Sequence, residues 1–255
     1  MIPYTPELFQ RLCNEAMLQR RAEGEGGIGT LAEKRLHAIV KKYICPNEDF
    51  HEVGILNTRF VADVMLGDYM FEVQTASFAP MQKKIAYCLE HTNATVTVVH
   101  PIPAVKWVHW IDPDTHEISP RKRSPKKGRV EDLLPQLYWL LPHLQNPRLR
   151  FAVMLMEVED FRFLSKCRNP KKGTERYERI PTALLEIMEF SSPDDFARFI
   201  PDTLPEHFTV KEFSALTKIR GRNAYSAVRA LTALGLFEEA EKIGRSMGWR
   251  ITARK

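Results

Sequence analysis

Residues 60–75, FVADVMLGDYMFEVQT, constrain the fold more than any other stretch, because apolar and polar residues alternate on both sides of a short turn. Such alternation is typical of half-buried strands. Gly67 and Asp68 lie between the two strands, and glycine in the first position of a two-residue loop favours a type II′ turn. The register then pairs Leu66 with Tyr69, so the stretch predicts one antiparallel hairpin.

The predicted register brings two acidic residues together. Asp63 falls directly opposite Glu72, and Gln74 lies two residues beyond Glu72 on the same face. The other face is apolar and consists of Phe60, Ala62, Val64, Phe71 and Val73. Like charges opposite one another destabilise a sheet, and burial adds a desolvation cost or raises a carboxyl pKa.

A divalent cation would remove this repulsion. Mg²⁺ is typically held by one or two carboxylates, together with water and substrate phosphate. The pair Asp63 and Glu72 therefore predicts a Mg²⁺ or Mn²⁺ site for phosphate chemistry. The alternative is a solvated hairpin face on which the two acids are incidental, and the register alone does not decide between them.

The elements around the hairpin predict an α/β protein with a mixed sheet. Before and after the hairpin, the sequence predicts helices over 5–20, 31–44 and 80–91, and strands over 50–56 and 94–99. An antiparallel hairpin followed by a crossover helix puts both strand directions into one sheet. Further along, strands are predicted near 106–112 and 149–160, and a helix near 130–141.

The element order α-β-β-β-α-β, with Asp63 on one strand and Glu72-Val73-Gln74 on the next, resembles the restriction-endonuclease-like (PD-(D/E)XK) nuclease superfamily. The resemblance covers roughly the first 100 residues. It implies a metal-dependent phosphodiester hydrolase in which Asp63 and Glu72 hold the ion. The superfamily's first-helix glutamate maps onto Glu33 as a further metal ligand, although an acid there also suits the first turn of a helix electrostatically.

The lysine position of the same superfamily falls on Gln74, which is a departure. The resemblance implies that Gln74 positions the attacking water and that a lysine from the following helix supplies the missing charge. Lys83 and Lys84 are the two candidates. The EVQT and SPKKG stretches also resemble a set of uncharacterised bacterial proteins, and that resemblance implies no function.

Basic residues are concentrated in two stretches that share the motif PKKG, in a chain of net charge +5. The basic residues predicted to bind nucleic acid here are Arg121, Lys122, Arg123, Lys126, Lys127 and Arg129 in the first stretch, and Lys171 and Lys172 in the second. Clustered cations neutralise phosphates and release counterions. Mobile solvated loops, at 120–129 and 168–179, are the alternative interpretation.

The C-terminal residues resemble a winged helix-turn-helix domain. Two short amphipathic helices flank a turn at Arg220-Gly221, and a glycine-containing hairpin follows. The resemblance implies a recognition helix at about 222–234 and a wing over 241–252. Residues at the start of that helix reach base edges or phosphates in such domains; these are Arg220, Arg222, Asn223 and Tyr225. Binding to a protein is the alternative.

The predicted domain order is an N-terminal helix with a flexible break over 1–29, a nuclease-like α/β domain over 30–190, a linker over 191–204 and the winged helix-turn-helix domain over 205–255. Four cysteines lie far apart, which favours reduced thiols in a cytoplasmic protein over a disulfide framework or a zinc site. The most apolar stretch, FAVMLMEV, has seven apolar residues among eight and is too short to span a bilayer.

Three functions follow from these patterns. The first is a Mg²⁺- or Mn²⁺-dependent endonuclease that acts on double-stranded DNA, with a homodimer or a protein partner as a further expectation. The second is a non-enzymatic DNA-binding protein, such as a regulator, whose nuclease-like domain is a degenerate scaffold. The third is an adaptor that binds proteins through both domains.

Overall fold

The computed structural model describes residues 2, 5–22, 34–164 and 176–252. Its helices are α1 (Pro6–Ala22), α2 (Lys34–Ile44), α3 (Gln82–His91), α4 (Leu134–Leu137), α5 (Val210–Thr217) and α6 (Arg222–Ala233). Its strands are β1 (His51–Gly54), β2 (Val61–Leu66), β3 (Tyr69–Val73), β4 (Thr95–Ile111), β5 (Lys122–Arg123), β6 (Leu149–Phe163), β7 (Arg176–Phe190), β8 (His207–Thr209), β9 (Phe237–Ile243) and β10 (Ser246–Ile251).

The strands form two sheets. The larger sheet has seven strands in the order β1-β2-β3-β4-β6-β7, with β5 paired to β4, and the smaller has the order β8-β10-β9. In the larger sheet β2 and β3 are antiparallel, whereas β3 and β4 are parallel and α3 connects them. The predicted α/β class with a mixed sheet is therefore confirmed.

The chain divides into two compact units. Unit 1 contains Met1–Glu52, Pro101–Arg129 and Met154–Ile187, and unit 2 contains Val53–His100, Val130–Val153 and Met188–Lys255. In unit 1, helix α2 has a buried apolar stripe of Leu36, Ile39, Val40 and Tyr43. The Tyr43 ring meets the Phe9 ring of α1 edge-on, with ring centroids 5.1 Å apart.

The hairpin follows the predicted register. Leu66 pairs with Tyr69, and Val64 pairs with Phe71. Gly67 has a φ of +58°, and Asp68 is not among the described non-glycine residues with positive φ. A left-handed first residue alone is the type II′ pattern, which explains why the turn begins with glycine.

Strand β4 corrects the prediction of two separate strands at 94–99 and 106–112. It runs without interruption from Thr95 to Ile111 and includes Pro101 and Pro103. Proline lacks an N–H group but tolerates extended backbone at positions where no ladder donor is needed. The carbonyl of Pro103 still accepts a hydrogen bond, at 3.0 Å, from the backbone N–H of Gly128.

Two predicted basic loops contain strand residues. Within 120–129, β5 pairs Arg123 with Trp107 and Lys122 with Val108. Within 168–179, residues 176–179 belong to β7, where Glu178 and Arg179 are buried. The loop prediction was therefore wrong for these residues, because local charge does not reveal a partner strand that lies far away in the sequence.

Short helical segments replace the single helix predicted near 130–141. A 3₁₀ turn at Val130–Leu133 leads into α4, and a second 3₁₀ segment spans Tyr138–His143. The stretch 191–204 contains a further 3₁₀ helix, Pro193–Phe199. Its two buried phenylalanines pack in an aromatic cluster made of Phe151, Phe190, Phe196 and Phe199.

The C-terminal part of unit 2 has the order β8-α5-α6-β9-β10. Thr209 caps α5 in a capping box with Glu212, which satisfies orphan amides at the start of the helix. At Gly248 an added Cβ would lie 2.1 Å from the carbonyl oxygen of Glu241, so the β9–β10 hairpin requires glycine there. No helix in the described residues is long and apolar enough to cross a membrane.

Candidate active site

Asp63 and Glu72 contact each other's strands at the end of the β2–β3 ladder. The backbone N–H of Val73 donates a hydrogen bond to Asp63 Oδ2 at 2.7 Å, and the N–H of Asp63 donates to Glu72 Oε1 at 3.4 Å. The register set by Leu66 and Tyr69 puts the two acids opposite each other. The hairpin therefore holds both carboxylates at one place, as the alternation predicts.

Glu72 is buried, and its protonation equilibrium is strongly displaced. Only 3% of the residue is exposed. Burial, and after it the negative charge of Asp63, raise the pKa of Glu72 to about 7, although Lys84 acts in the opposite direction. A carboxyl group that titrates near neutral pH in a cluster of charges is a common feature of functional sites.

Lys84 contacts Glu72 from the helix that follows the hairpin. It extends from α3, forms an ion pair with Glu72 Oε2, and donates a hydrogen bond to the carbonyl of Val61 at 2.8 Å. Lys83, the other candidate, is exposed. Since successive helical residues point about 100° apart, only one of two neighbouring lysines can face the sheet. The structure thus brings Lys84 together with Asp63 and Glu72.

Gln74 follows β3 directly, and its backbone is held on both sides. Its N–H donates to the carbonyl of Val99 at 2.9 Å, and its carbonyl accepts a hydrogen bond from His100 Nδ1. His100 is buried, which lowers the pKa of its imidazole. Sequence reasoning missed His100, although the parallel pairing of Val73 with Val99 makes it the neighbour of Gln74.

The donor chemistry of the two carboxylates fits Mg²⁺ or Mn²⁺. Both are hard oxygen ligands, and one or two carboxylates with water and phosphate are the usual ligand set of Mg²⁺. Glu33, the predicted third ligand, lies outside the described residues, as do Lys171 and Lys172. Within the described ranges, no group of three or more His, Cys, Asp or Glu side chains is arranged to hold a metal ion.

The basic stretch at 120–129 lies in unit 1 and is partly organised by contacts with the sheet. Arg121 donates to Glu159 Oε1 at 3.0 Å, and its guanidinium lies 4.4 Å from the centroid of the Trp107 ring. Arg123 lies over the same ring at 5.9 Å. The exposed members of the stretch are Arg121, Lys122, Arg123, Lys126 and Lys127, while Arg129 is half-buried.

His109 reinforces this organisation from β4. Its Nε2 contacts the carboxylate of Glu159, and its Nδ1 lies 3.2 Å from the carbonyl oxygen of Ser119. Both partners only accept hydrogen bonds when Glu159 is ionised, so both ring nitrogens donate. The contact with Glu159 accordingly raises the pKa of His109. Because Arg121 also contacts Glu159, one carboxylate contacts both basic side chains here.

The predicted recognition residues are all exposed at the start of α6. Gly221, with a φ of +59°, precedes the helix, and the first turn contains no acidic residue. The exposed residues are Arg220, Arg222, Asn223 and Tyr225. The opposite side of α6 is buried through Ala224, Ala227, Val228, Ala230 and Leu231. The start of the helix and the residues just before it therefore expose two arginines, an amide and a phenol.

Comparison with known proteins gives one match. A family profile described as a domain of unknown function (DUF8091) matches residues 34–191. The matched span begins with α2, ends just after β7, and includes Asp63, Glu72 and Lys84. No curated protein and no solved structure matches the chain. Since the profile covers more than half of the sequence, the chain belongs to the family described as domain of unknown function DUF8091.

Proposed function

We propose that the protein is a metal-dependent endonuclease that cleaves double-stranded DNA. The observation that carries the proposal is the convergence of Asp63, Glu72 and Lys84, two carboxylates and one ammonium, on neighbouring elements of unit 2. The order of α2, β1, β2, β3, α3 and β4 matches the order of the restriction-endonuclease-like core. The hairpin followed by a parallel crossover supports the same comparison.

In this proposal the two carboxylates bind the metal ion and Lys84 provides positive charge. Asp63 and Glu72 would hold Mg²⁺ or Mn²⁺, which when bound polarises a phosphate oxygen and lowers the pKa of a water ligand. Glu72 must be ionised to act as a ligand, and Lys84 favours that form electrostatically. The Lys84 ammonium also lies where it can offset negative charge that develops on the phosphate.

Gln74 has a different task in this proposal. A glutamine amide carries no charge, but it can both donate and accept hydrogen bonds, which suits the positioning of a water molecule. Hydrogen bonds of its backbone with Val99 and His100 fix the position of the chain where it leaves β3. Lys84 rather than Gln74 therefore supplies the positive charge.

DNA would be held by the C-terminal domain, for which the order β8-α5-α6-β9-β10 supports a winged helix-turn-helix assignment. Helix α6 would enter the major groove, with Arg222 and Asn223 near base edges and Arg220 near the backbone. The β9–β10 hairpin would be the wing. The basic residues of 120–129 would add phosphate contacts that do not depend on sequence.

The proposal is tested by incubating the purified protein with supercoiled plasmid and Mg²⁺ or Mn²⁺. We expect nicked or linear product from the wild type and a loss of at least 100-fold in Asp63→Asn and Lys84→Met. Glu90→Gln is the matched control, because Glu90 is an exposed carboxylate on α3, the helix that contains Lys84. Unchanged activity in Asp63→Asn would refute the assignment of the active site.

A second function is favoured by one specific observation. Lys84 already pairs with Glu72, so the hairpin does not require a metal ion to balance its acids. The glutamine at position 74, where the superfamily motif has its lysine, also favours a protein without nuclease activity. In that case the protein binds DNA without cutting it, as a regulator would. Salt-sensitive DNA binding with neither cleavage nor stabilisation by Mg²⁺ would establish this second function in place of the first.

A further inference from the structure

The loop between β1 and β2 presents the most exposed large apolar side chain in the described residues. Leu56 is 86% exposed, whereas its neighbour Ile55 is buried. A leucine this exposed gains nothing from folding, since burial of its side chain would contribute about 1.5–3 kcal/mol. Isolated surface leucines are common, but this one lies in a hydrogen-bonded turn next to the candidate active site.

The loop is a turn with several internal hydrogen bonds. The N–H of Thr58 donates to the carbonyl of Ile55 at 3.2 Å, and the Thr58 hydroxyl donates to the same oxygen at 2.8 Å. The N–H of Ile55 donates to the carbonyl of Phe60 at 2.9 Å. Asn57 adopts a φ of +62°, which asparagine tolerates at the third position of a type II turn. Leu56 is the preceding residue, and the turn directs it outward.

Helix α3 fixes this loop relative to the candidate active site. Lys84 donates to the carbonyl of Val61 at one end of the segment, and the Tyr87 hydroxyl lies 3.5 Å from the carbonyl of Leu56 at the other. These two helical residues are three positions apart, which is about 4.5 Å along the axis. The segment that carries Leu56 therefore contacts the same face of α3 that presents Lys84 to Glu72.

The chemistry around Leu56 favours duplex DNA over a protein as its partner. Arg59 and Asn57 are exposed beside it, and Arg59 is the sole ionisable residue of 55–60. A stable protein interface buries about 1,200–2,000 Å², far more than one leucine and two polar side chains provide. By contrast, DNA-bending proteins insert single apolar wedges between base pairs from the minor groove, with cationic and amide side chains nearby.

We propose that Leu56 is a wedge that unstacks a base-pair step next to the scissile phosphate, while Arg59 contacts the adjoining backbone. This inference rests on the proposed endonuclease function. It assigns the substrate class as duplex DNA containing an easily unstacked step, such as a mismatch or a pyrimidine–purine step. Specificity would then come from the deformability of the duplex beside the cut as well as from base contacts of α6.

The test uses duplexes whose cleavage position has been mapped with the wild type. 2-Aminopurine is placed one to four base pairs on either side of the cut, and binding is measured in Ca²⁺ so that no cleavage occurs. We expect the wild type to raise 2-aminopurine fluorescence severalfold at one step. Leu56→Ser should abolish the rise and Leu56→Met should retain it. The wild type should also cut a duplex mismatched at that step about tenfold faster, a preference absent in Leu56→Ser.

The outcomes separate the two proposals. A wild type that neither binds nor cuts duplex DNA refutes the endonuclease function, and the wedge with it. A wild type that cuts DNA without a 2-aminopurine response, or a Leu56→Ser variant with the full response, refutes the wedge alone. Thermal melting of Leu56→Ser checks its fold, and because the side chain is exposed we expect the melting temperature to match that of the wild type.

Discussion

At the scale of single residues, the central feature is a glutamate that titrates near neutral pH. Glu72 is buried beside Asp63, and both effects raise its pKa, to about 7 in total. The sequence alone indicates the repulsion between these two acids. It does not indicate that Lys84 already compensates part of it, because that contact depends on how α3 is rotated over the sheet.

The titration of Glu72 gives the first prediction. Its folded pKa, about 7, lies above the ordinary glutamate pKa of 4.5, so the folded state binds the proton more tightly than the unfolded state does. The resulting stabilisation is fully present below pH 4.5 and is lost as pH rises through 7. Asp63→Asn removes one cause of the raised pKa while keeping an oxygen for the Val73 amide. We expect the Glu72 pKa to fall in this variant and the loss of stability to move to lower pH.

Carboxyl-carbon NMR during a pH titration measures the pKa, and urea unfolding at several pH values measures the stability. Glu90→Gln serves as the control, since Glu90 is exposed on α3 and is not among the groups that shift the pKa of Glu72. A Glu72 pKa that is the same in Asp63→Asn and in the wild type would contradict the coupling between the two carboxylates.

At the scale of elements, α3 determines the site, and a single arginine secures its end. Arg148 donates hydrogen bonds to the carbonyl of Thr92 at 2.6 Å, to the carbonyl of Ala94 at 3.2 Å, and to the carbonyl of Leu89. The last carbonyls of a helix have no partner within the helix, so a planar guanidinium with several donors can satisfy more than one of them. Arg148 thereby ties α3 to the start of β6.

Replacement of Arg148 by methionine keeps an unbranched apolar stem and removes all of the guanidinium donors. We expect a loss of about 2–3 kcal/mol in the free energy of unfolding, because half-buried carbonyls lose a charged donor. Hydrogen exchange should also increase in the last turn of α3. Arg198→Met at an exposed position is the control, with a change of less than about 0.5 kcal/mol. Equal stability of the two variants would show that water replaces the cap.

At the scale of the whole molecule, local signals predict the fold better than distant ones. The β2–β3 hairpin follows from Gly67 and the alternation around it, all within 16 residues. Local signals do not predict that β4 is one long strand or that β7 includes Arg176. Both depend on partner strands that lie far away in the sequence. The pairing of Arg121 with Glu159, 38 positions apart, is invisible in the sequence for the same reason.

The last prediction concerns DNA binding and depends on which cations are exposed and which are paired with a carboxylate. Arg220 and Arg222 are exposed at the start of α6, whereas Arg229 in the same helix forms an ion pair with Glu239. Each phosphate that a cation neutralises adds about 0.9 to the magnitude of the slope of log K against log salt concentration. We therefore expect Arg220→Ala and Arg222→Ala each to reduce the magnitude of the slope by up to about one, and Arg229→Ala to leave it nearly unchanged.

Fluorescence anisotropy with a labelled duplex at 50–200 mM salt measures the slopes. Arg222→Ala distinguishes two modes of binding. If Arg222 contacts a phosphate, the variant has a slope of smaller magnitude and binds all sequences more weakly. If Arg222 contacts a base edge, the variant loses about 1–3 kcal/mol for one sequence and keeps the slope. If Arg229→Ala reduced the slope as much as Arg220→Ala does, the binding surface would not be the start of α6, because a cation already paired within the domain would then contribute as much as an exposed one.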